Sequence, residues 1–199
     1  MKMKTNDGRV PIMRVIFWLL VFVSSILGCA QNRVESNRPG PWATPIQLQG
    51  VANFYKITDY LYRSEQPTAE GMKNLERMGI KTIINLRVFH SDSDKIRGTG
   101  LHREELSAKS WHIEDEDVVR VLRIIRKREN GPFLIHCWHG ADRVGVMVAM
   151  FRIIEQGWTK EEAIQEMVEG GYGFNRAWIN IVQYLKQVDV ERIRKKLEK

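Results

Sequence analysis

The stretch Phe133-Leu134-Ile135-His136-Cys137-Trp138-His139-Gly140-Ala141-Asp142-Arg143 restricts the fold more than any other part of the chain. Phe133–Ile135 is apolar and β-prone, follows the breaker Gly131-Pro132, and reads as a central buried strand. Val144–Gln156 is apolar and of helical length. What lies between is a turn from a strand end into a helix N-terminus. Such a turn exposes backbone N–H groups that no carbonyl of the helix can satisfy. If it curls, these donors converge on one anion. Gly140 offers backbone angles closed to other residues. Arg143, six residues after Cys137, can fold its planar fork over the same anion. A cysteine in this ring feels the helix dipole, the donors and the guanidinium together, and all three favour thiolate over thiol.

The remaining pattern surrounds that turn with strands and helices in alternation. Phe54–Ile57 and Leu61–Arg63 are short β-prone runs separated by Thr58-Asp59, a hairpin signal. Thr68 can cap a helix running to about Met78, ended by Gly79. Lys81–Leu86 has the composition of a buried strand, and Leu101–Leu106 of another. Val118, Val121, Leu122 and Ile125 recur at helical spacing behind the acidic first turn Glu114–Asp117. Thr159 and Glu162 form a capping-box signature. A last amphipathic helix is predicted over Trp178–Leu197. The alternation predicts an α/β domain with a mostly parallel central sheet flanked by helices, its site at the carboxyl ends of the strands.

The N-terminus is of a different kind. Lys2, Lys4, Arg9 and Arg14 precede an apolar and small run from Val15 to Gly28 that ends at Cys29. A membrane span needs ~20 apolar residues, and this run is shorter, the length of a secretory h-region. Its end, Ile26-Leu27-Gly28-Cys29, resembles the bacterial lipobox. That resemblance implies cleavage before Cys29, lipidation of Cys29, attachment to a membrane outside the cytoplasm, and, with Ala30 next, the periplasmic face of the outer membrane. The resemblance thus implies that residues 1–28 are a lipoprotein signal peptide. Residues 29–50, with Pro39, Pro41 and Pro45 among polar residues, read as a tether, though an ordered arm packing Trp42 on the domain stays open for its last third. Residues 51–199 are expected to form the folded domain. With Cys29 lipidated, Cys137 stands alone and forms no internal disulfide. The net charge of +7 comes without dense Lys/Arg runs interleaved with aromatics, so nucleic acid is not an expected partner.

His-Cys, five residues, then Arg resembles the signature of the cysteine-based protein tyrosine phosphatases. The likeness runs from about Leu61 to Tyr184. Leu61-Tyr62-Arg63-Ser64-Glu65-Gln66-Pro67 resembles an N-terminal run of the dual-specificity branch in its small bacterial form, Lys81–Arg87 its second strand, and Gly157–Gly173 its C-terminal helical part. Low-molecular-weight phosphatases and rhodaneses fit less well, by the placement of the cysteine loop and of the arginine. The resemblance implies that Cys137 attacks phosphorus and forms a phosphocysteine. It implies that Arg143 binds the equatorial oxygens, that backbone N–H groups of Trp138, His139, Gly140, Ala141, Asp142 and Arg143 complete the cradle, and that His136 orients the loop from behind. No metal or cofactor is implied, and the substrate is a phosphorylated protein or a small phosphorylated molecule.

Two departures from the family pattern stand out. The residue after the arginine, commonly Ser or Thr with a hydroxyl for the departing thiolate, is Val144, which cannot donate a hydrogen bond. The zone where the branch usually keeps an acidic Asp reads Glu104–His112 and holds no Asp. Candidates for the general acid are Asp142, which matches an acid position of myotubularin-like lipid phosphatases, Asp115 or Asp117 on the acidic turn, and Glu105 at nearest to the usual spacing. Arg87, His90 and Asp92 follow a strand end and could line the pocket. Three functions follow: a phosphotyrosine or dual-specificity phosphatase, an inositol-phosphate or phospholipid phosphatase, and an inactive anion-binding lipoprotein.

Overall fold

The computed structural model describes residues 42–199. The readings of residues 1–28 as a leader, of Cys29 as a lipidation site and of residues 30–41 as tether lie outside the described residues. Among those described, no helix is long and apolar enough to cross a membrane.

Six strands form one sheet: β1 (Thr44–Pro45), β2 (Tyr55–Lys56), β3 (Leu61–Ser64), β4 (Thr82–Asn85), β5 (His102–Glu105) and β6 (Phe133–His136). Their order is β1-β2-β3-β6-β4-β5, with β3, β6, β4 and β5 parallel and β1 and β2 antiparallel at one edge. Among the described residues, six α-helices accompany it: α1 (Ala69–Arg77), α2 (Asp115–Arg126), α3 (Asp142–Gln156), α4 (Lys160–Glu169), α5 (Ile179–Gln187) and α6 (Val190–Leu197). The expected α/β domain with a mostly parallel, helix-flanked sheet is what forms.

The unbroken apolar run of β6 has a simple cause: both faces of the strand are covered. Phe133 and Ile135 pack with Leu61, Ile84 and the buried side chains of α2 and α3, while Leu134 packs on the other face with Met72 and Leu75 of α1 and with Ile83. The crossover between β4 and β5 adds Ile96 and Leu101 to the α1 side. α3 is the central helix, buried from Val144 to Ile154. Gly145 lets α4 approach it, since a Cβ there would lie 2.8 Å from Met167. Arg152 of α3 and Glu166 of α4 form a buried two-pronged pair, both contacts 2.8 Å.

Two expectations are corrected. The domain does not begin at residue 51. Thr44 and Pro45 pair with Lys56 and Tyr55, Ala43 is buried, and its N–H donates to Glu166 at 2.7 Å. Pro45 sits in an edge strand, where its missing donor costs little. The helix predicted over Trp178–Leu197 is two helices. Val188 leaves the helical region and Asp189 caps α6 by accepting the N–H of Arg192 at 3.0 Å. The Thr159–Glu162 capping box at the start of α4 forms as the sequence predicts.

Candidate active site

β6 lies between β3 and β4, so residues leaving its carboxyl end emerge at the middle of the sheet. Cys137 is the first of them and is 2% exposed. The loop turns through Gly140 at φ +68° and enters α3 at Asp142. The neighbours fix how its peptides face. Gln66 N–H donates to the Trp138 carbonyl at 3.2 Å, Asn53 Nδ2 to the His139 carbonyl at 2.8 Å, and Arg63 Nη2 to the Gly140 carbonyl at 2.7 Å. Three successive carbonyls are therefore held outward by protein donors. In a planar trans peptide the N–H points opposite the carbonyl, so the N–H groups of His139, Gly140 and Ala141 face the inside of the curl. No N–H from Trp138 to Arg143 donates to an acceptor among the described residues. With the N-terminus of α3 beneath, the loop is an anion cradle.

Arg143, on the first turn of α3, is half-buried and donates to the Leu86 carbonyl at 3.3 Å. Arg87 lies beside it with its guanidinium over the Trp138 ring, 4.1 Å from the centroid, and donates to Gln66 Oε1 at 2.9 Å. Burial first and Arg143 second hold the Arg87 guanidinium below its ordinary value, while Asp92 and Cys137 pull the other way. Two arginines and the thiol thus share one electrostatic neighbourhood. Above the loop is a cleft of about 840 Å³, walled by Trp138, His139, Asp142 and Arg143 on one side and by Tyr172, Asn175 and Trp178 on the other.

Behind the loop, His136 is fully buried, and its Nε2 lies 2.7 Å from Asp92 Oδ2. The Leu86 N–H donates to the His136 carbonyl at 3.0 Å. Asp92 therefore does not line the cleft; it braces His136 from the β4–β5 crossover. His90 stands 3.6 Å from Asp92, and burial followed by the charge of Arg87 lowers its proton affinity.

The acid candidates separate cleanly. Asp142 lines the cleft and accepts the Asn175 N–H at 2.9 Å. Asp115 is not brought to the loop. Its oxygens are taken by Tyr184 at 3.1 Å and Arg192 at 2.7 Å, which clamp α5 and α6 onto α2. Asp117 does not line the cleft either; burial and then Glu114 raise its carboxyl above the ordinary value. Glu105 accepts from Ser91 at 2.5 Å, from Arg103 at 3.0 Å and from the Asp92 N–H at 3.2 Å. The Ser91 bond outweighs burial and keeps its carboxyl below the ordinary value, the opposite of what a proton donor needs. Nearer cations and hydroxyls claim the carboxylates of Asp115 and Glu105.

Sequence reasoning missed Asn53, Arg63 and Gln66 as struts of the loop, and Glu65 as a second carboxylate of the cleft wall. A signal existed for Arg63: a charged residue at an inward position of a buried strand.

A model of the Tyrosine phosphatase family matches residues 50–199. The dual specificity protein phosphatase TpbA of Pseudomonas aeruginosa is 30% identical over 185 residues, which cover 89% of this chain and 84% of the relative. A crystal structure of P. aeruginosa TpbA, as a Cys-to-Ser variant in complex with phosphotyrosine, superposes with a TM-score of 0.73 at 30% identity, covering 81% of this chain and 98% of that one. The core catalytic domain of the PP-IP phosphatase SIW14 of S. cerevisiae, 23% identical, shares the fold at a TM-score of 0.64 over 75% of this chain and 93% of its own. This chain belongs to the tyrosine phosphatase family and is a cysteine-based phosphatase.

Proposed function

We propose that the chain hydrolyses phosphotyrosine in proteins, and phosphoserine or phosphothreonine by the same route, through a phosphocysteine. One observation carries the reading: protein donors hold three successive carbonyls of the Cys137–Arg143 loop outward, which leaves the loop's N–H groups for an anion. The phosphoryl oxygens occupy the cradle, and Arg143 takes two of them with its fork. Cys137 Sγ attacks phosphorus, the P–O bond breaks, and the leaving oxygen takes a proton from Asp142. Water then attacks the phosphocysteine and the S–P bond breaks. The sulfur keeps the electron pair and the Asp142 carboxylate takes the water's proton.

An inositol-phosphate substrate is the second reading, and the observation that favours it is Arg87 beside Arg143. Two guanidinium groups at one loop suit a molecule with clustered phosphates. We also infer that the chain is lipidated at Cys29 and hangs from the periplasmic face of an outer membrane. The basic start, the apolar run Val15–Gly28 and the Leu27-Gly28-Cys29 ending support this. Mass spectrometry of the membrane fraction tests it: a retained Met1 with the whole apolar segment overturns it.

Turnover is tested on phosphotyrosine, phosphoserine and phosphothreonine peptides and on inositol phosphates. Cys137→Ser is expected to lose at least about a thousandfold in kcat while still binding phosphate analogues. Substantial hydrolysis by a clean Cys137→Ser protein removes the covalent mechanism. A wild-type protein that cleaves inositol phosphates and not phosphopeptides selects the second reading. One that cleaves neither, nor a simple aryl phosphate, returns the chain to an anion-binding role.

A further inference from the structure

Four Arg, Asp or Glu side chains are buried among the described residues: Arg63, Asp92, Arg152 and Glu166. Three are matched. Arg152 and Glu166 neutralise one another, and Asp92 accepts from His136 at 2.7 Å and from Gln66 at 2.8 Å. Arg63 is different. It is 1% exposed, and no carboxylate of the described residues lies within ion-pair distance of it. Its Nη2 donates to the Gly140 carbonyl, its guanidinium lies over the Tyr172 ring at 3.7 Å from the centroid, and its Nε has no hydrogen-bond partner. Tyr172 passes its own hydroxyl to Glu166 at 3.0 Å, and Glu166 is bonded directly to Arg152, so its charge reaches Arg63 only from a distance. An arginine is almost never fully buried without a counter-charge, because the desolvation cost is several kcal/mol in order of magnitude.

The strand register points to the missing partner. Arg63 stands opposite Ile135 across the parallel β3–β6 pair. Side chains alternate faces along a strand, so Cys137, two residues beyond Ile135, emerges on the face Arg63 occupies. Leu61, Phe133, Ile135 and Cys137 pack in one core cluster on that face. The geometry points to Arg63 as a positioning residue: the buried counter-charge of the Cys137 thiolate, and the strut that keeps the loop's peptides turned for anion binding. Burial lowers the proton affinity of the guanidinium, and Tyr172, Glu166 and Cys137 oppose that fall.

This role, which rests on the phosphatase reading of the site, gives Val144 a physical explanation. When the S–P bond of the phosphocysteine breaks, the electron pair returns to Sγ. A hydroxyl after the arginine would stabilise it by hydrogen bonding, and Val144 has none. A cation beneath the loop stabilises the same charge from the opposite side, and in a low-dielectric interior it does so without a direct bond. The thiolate then adds to what Tyr172 and Glu166 do to offset the burial of Arg63, and Arg63 is the group that makes valine at position 144 tolerable.

Two substitutions separate charge from shape. Arg63→Lys keeps the charge and loses the fork; Arg63→Gln loses the charge and, two bonds shorter, the bond to the Gly140 carbonyl as well. The readout is the pH midpoint for iodoacetamide alkylation of Cys137 in the full chain. It is followed on the peptide that carries Cys137, so that Cys29 does not contribute, and alongside kcat and KM for p-nitrophenyl phosphate. Arg63→Gln is expected to raise the alkylation midpoint by about one pH unit or more and to lower kcat at least about tenfold, with a smaller change in KM. Arg63→Lys is expected to restore most of both. A folded Arg63→Gln protein with the wild-type midpoint overturns the assignment. If Arg63→Gln does not fold, Cys137→Ser supplies the reciprocal measurement. Wild type and Cys137→Ser are compared by thermal melting across the pH range that contains the measured alkylation midpoint, and a melting-temperature difference that does not change with pH overturns the pairing. Should the wild-type protein fail to hydrolyse any phosphate monoester while the alkylation shift persists, the phosphatase reading falls and the charge pairing stands.

Discussion

His136 Nε2 and Asp92 Oδ2 lie 2.7 Å apart, and neither side chain reaches solvent. The bond joins two segments that are distant in sequence: the strand end that delivers Cys137, and the crossover from β4. Asp92 also accepts from Gln66 Nε2 at 2.8 Å, and Gln66 in turn supports both Arg87 and the Trp138 carbonyl. One buried carboxylate thus sets the rear of the loop and, through Gln66, part of its front. Burial pushes the Asp92 carboxyl up, but the His136 bond and charge, with Gln66, outweigh it and hold the carboxyl below its ordinary value of 3.8.

Asp92→Asn is therefore expected to cost stability and turnover together. It replaces an acceptor-only carboxylate with an amide whose NH2 must face one of two donors. Roughly 1–3 kcal/mol of stability should be lost near neutral pH, with kcat lowered. The sign of the pH dependence follows from the lowered carboxyl. Its contribution is complete above the ordinary carboxylate value and disappears as pH falls below it. Urea unfolding of both proteins at pH 7 and below pH 4 checks this, the gap between them closing in acid.

Asp142→Asn and Asp115→Asn are expected to fail in different ways. Asp142 stands in the cleft wall, so its loss should lower kcat far more for alkyl phosphates, whose leaving oxygen needs a proton, than for p-nitrophenyl phosphate. A drop of about 10²–10⁴-fold is the usual range for a general acid. Asp115 instead holds Tyr184 and Arg192. Burial and Asp115 keep the Tyr184 hydroxyl protonated far above its ordinary range. Asp115→Asn should leave kcat near wild type and lower the melting temperature. An equal loss on both phosphate types in Asp142→Asn would remove Asp142 from the proton transfer.

Val144→Thr is expected to speed breakdown of the phosphocysteine. Val144 is fully buried on the first turn of α3, and threonine has nearly its shape. The new hydroxyl exchanges apolar packing for a hydrogen bond to the departing sulfur, so stability should fall by roughly 1 kcal/mol while the second chemical step quickens. Rapid-quench measurement of the phosphoenzyme decides it. An unchanged or slower decay means that the packing at this position needs valine and that the missing hydroxyl does not limit the second step.

The sequence told most where one residue's job depends on its neighbours along the chain. The strand Phe133–Ile135, the turn through Gly140, the α3 helix and the Thr159–Glu162 box are local patterns, and each forms where its pattern lies. It told least where a residue's job depends on what the fold brings up from afar. Asp115 and Asp142 look alike in sequence, and only the packing of α5 and α6 against α2 gives one of them to Tyr184 and Arg192. Asn53 and Arg63 become supports of the loop through contacts 86 and 77 residues away along the chain. Trp178–Leu197 keeps one amphipathic pattern through a break, because Val188 is buried on the apolar face even as Asp189 starts a new helix.

Gly140 and Gly157 offer a controlled comparison. Both have positive φ, +68° and +72°. Strain alone, as in a left-handed helix cap, costs about 1 kcal/mol when alanine replaces glycine. Around Gly157 a new Cβ would meet nothing within 4 Å, so Gly157→Ala should show that cost and keep its kcat. At Gly140 the new Cβ would strike the backbone of Ser64 and Glu65, 2.5 Å from the Ser64 carbonyl oxygen. Backbone cannot swing aside as a long side chain can, so either the end of β3 or the loop must move. Movement of the loop carries with it the Gly140 carbonyl held by Arg63 and the N–H groups of the cradle. A misplacement of about 1 Å at a reacting centre costs on the order of a hundredfold in rate. Gly140→Ala is therefore expected to lose about a hundredfold or more in kcat, beyond the strain that Gly157→Ala reports. Steady-state kinetics and thermal unfolding on the two variants side by side check it. Wild-type kcat in Gly140→Ala would mean that the close approach of the loop to β3 does not set the cradle.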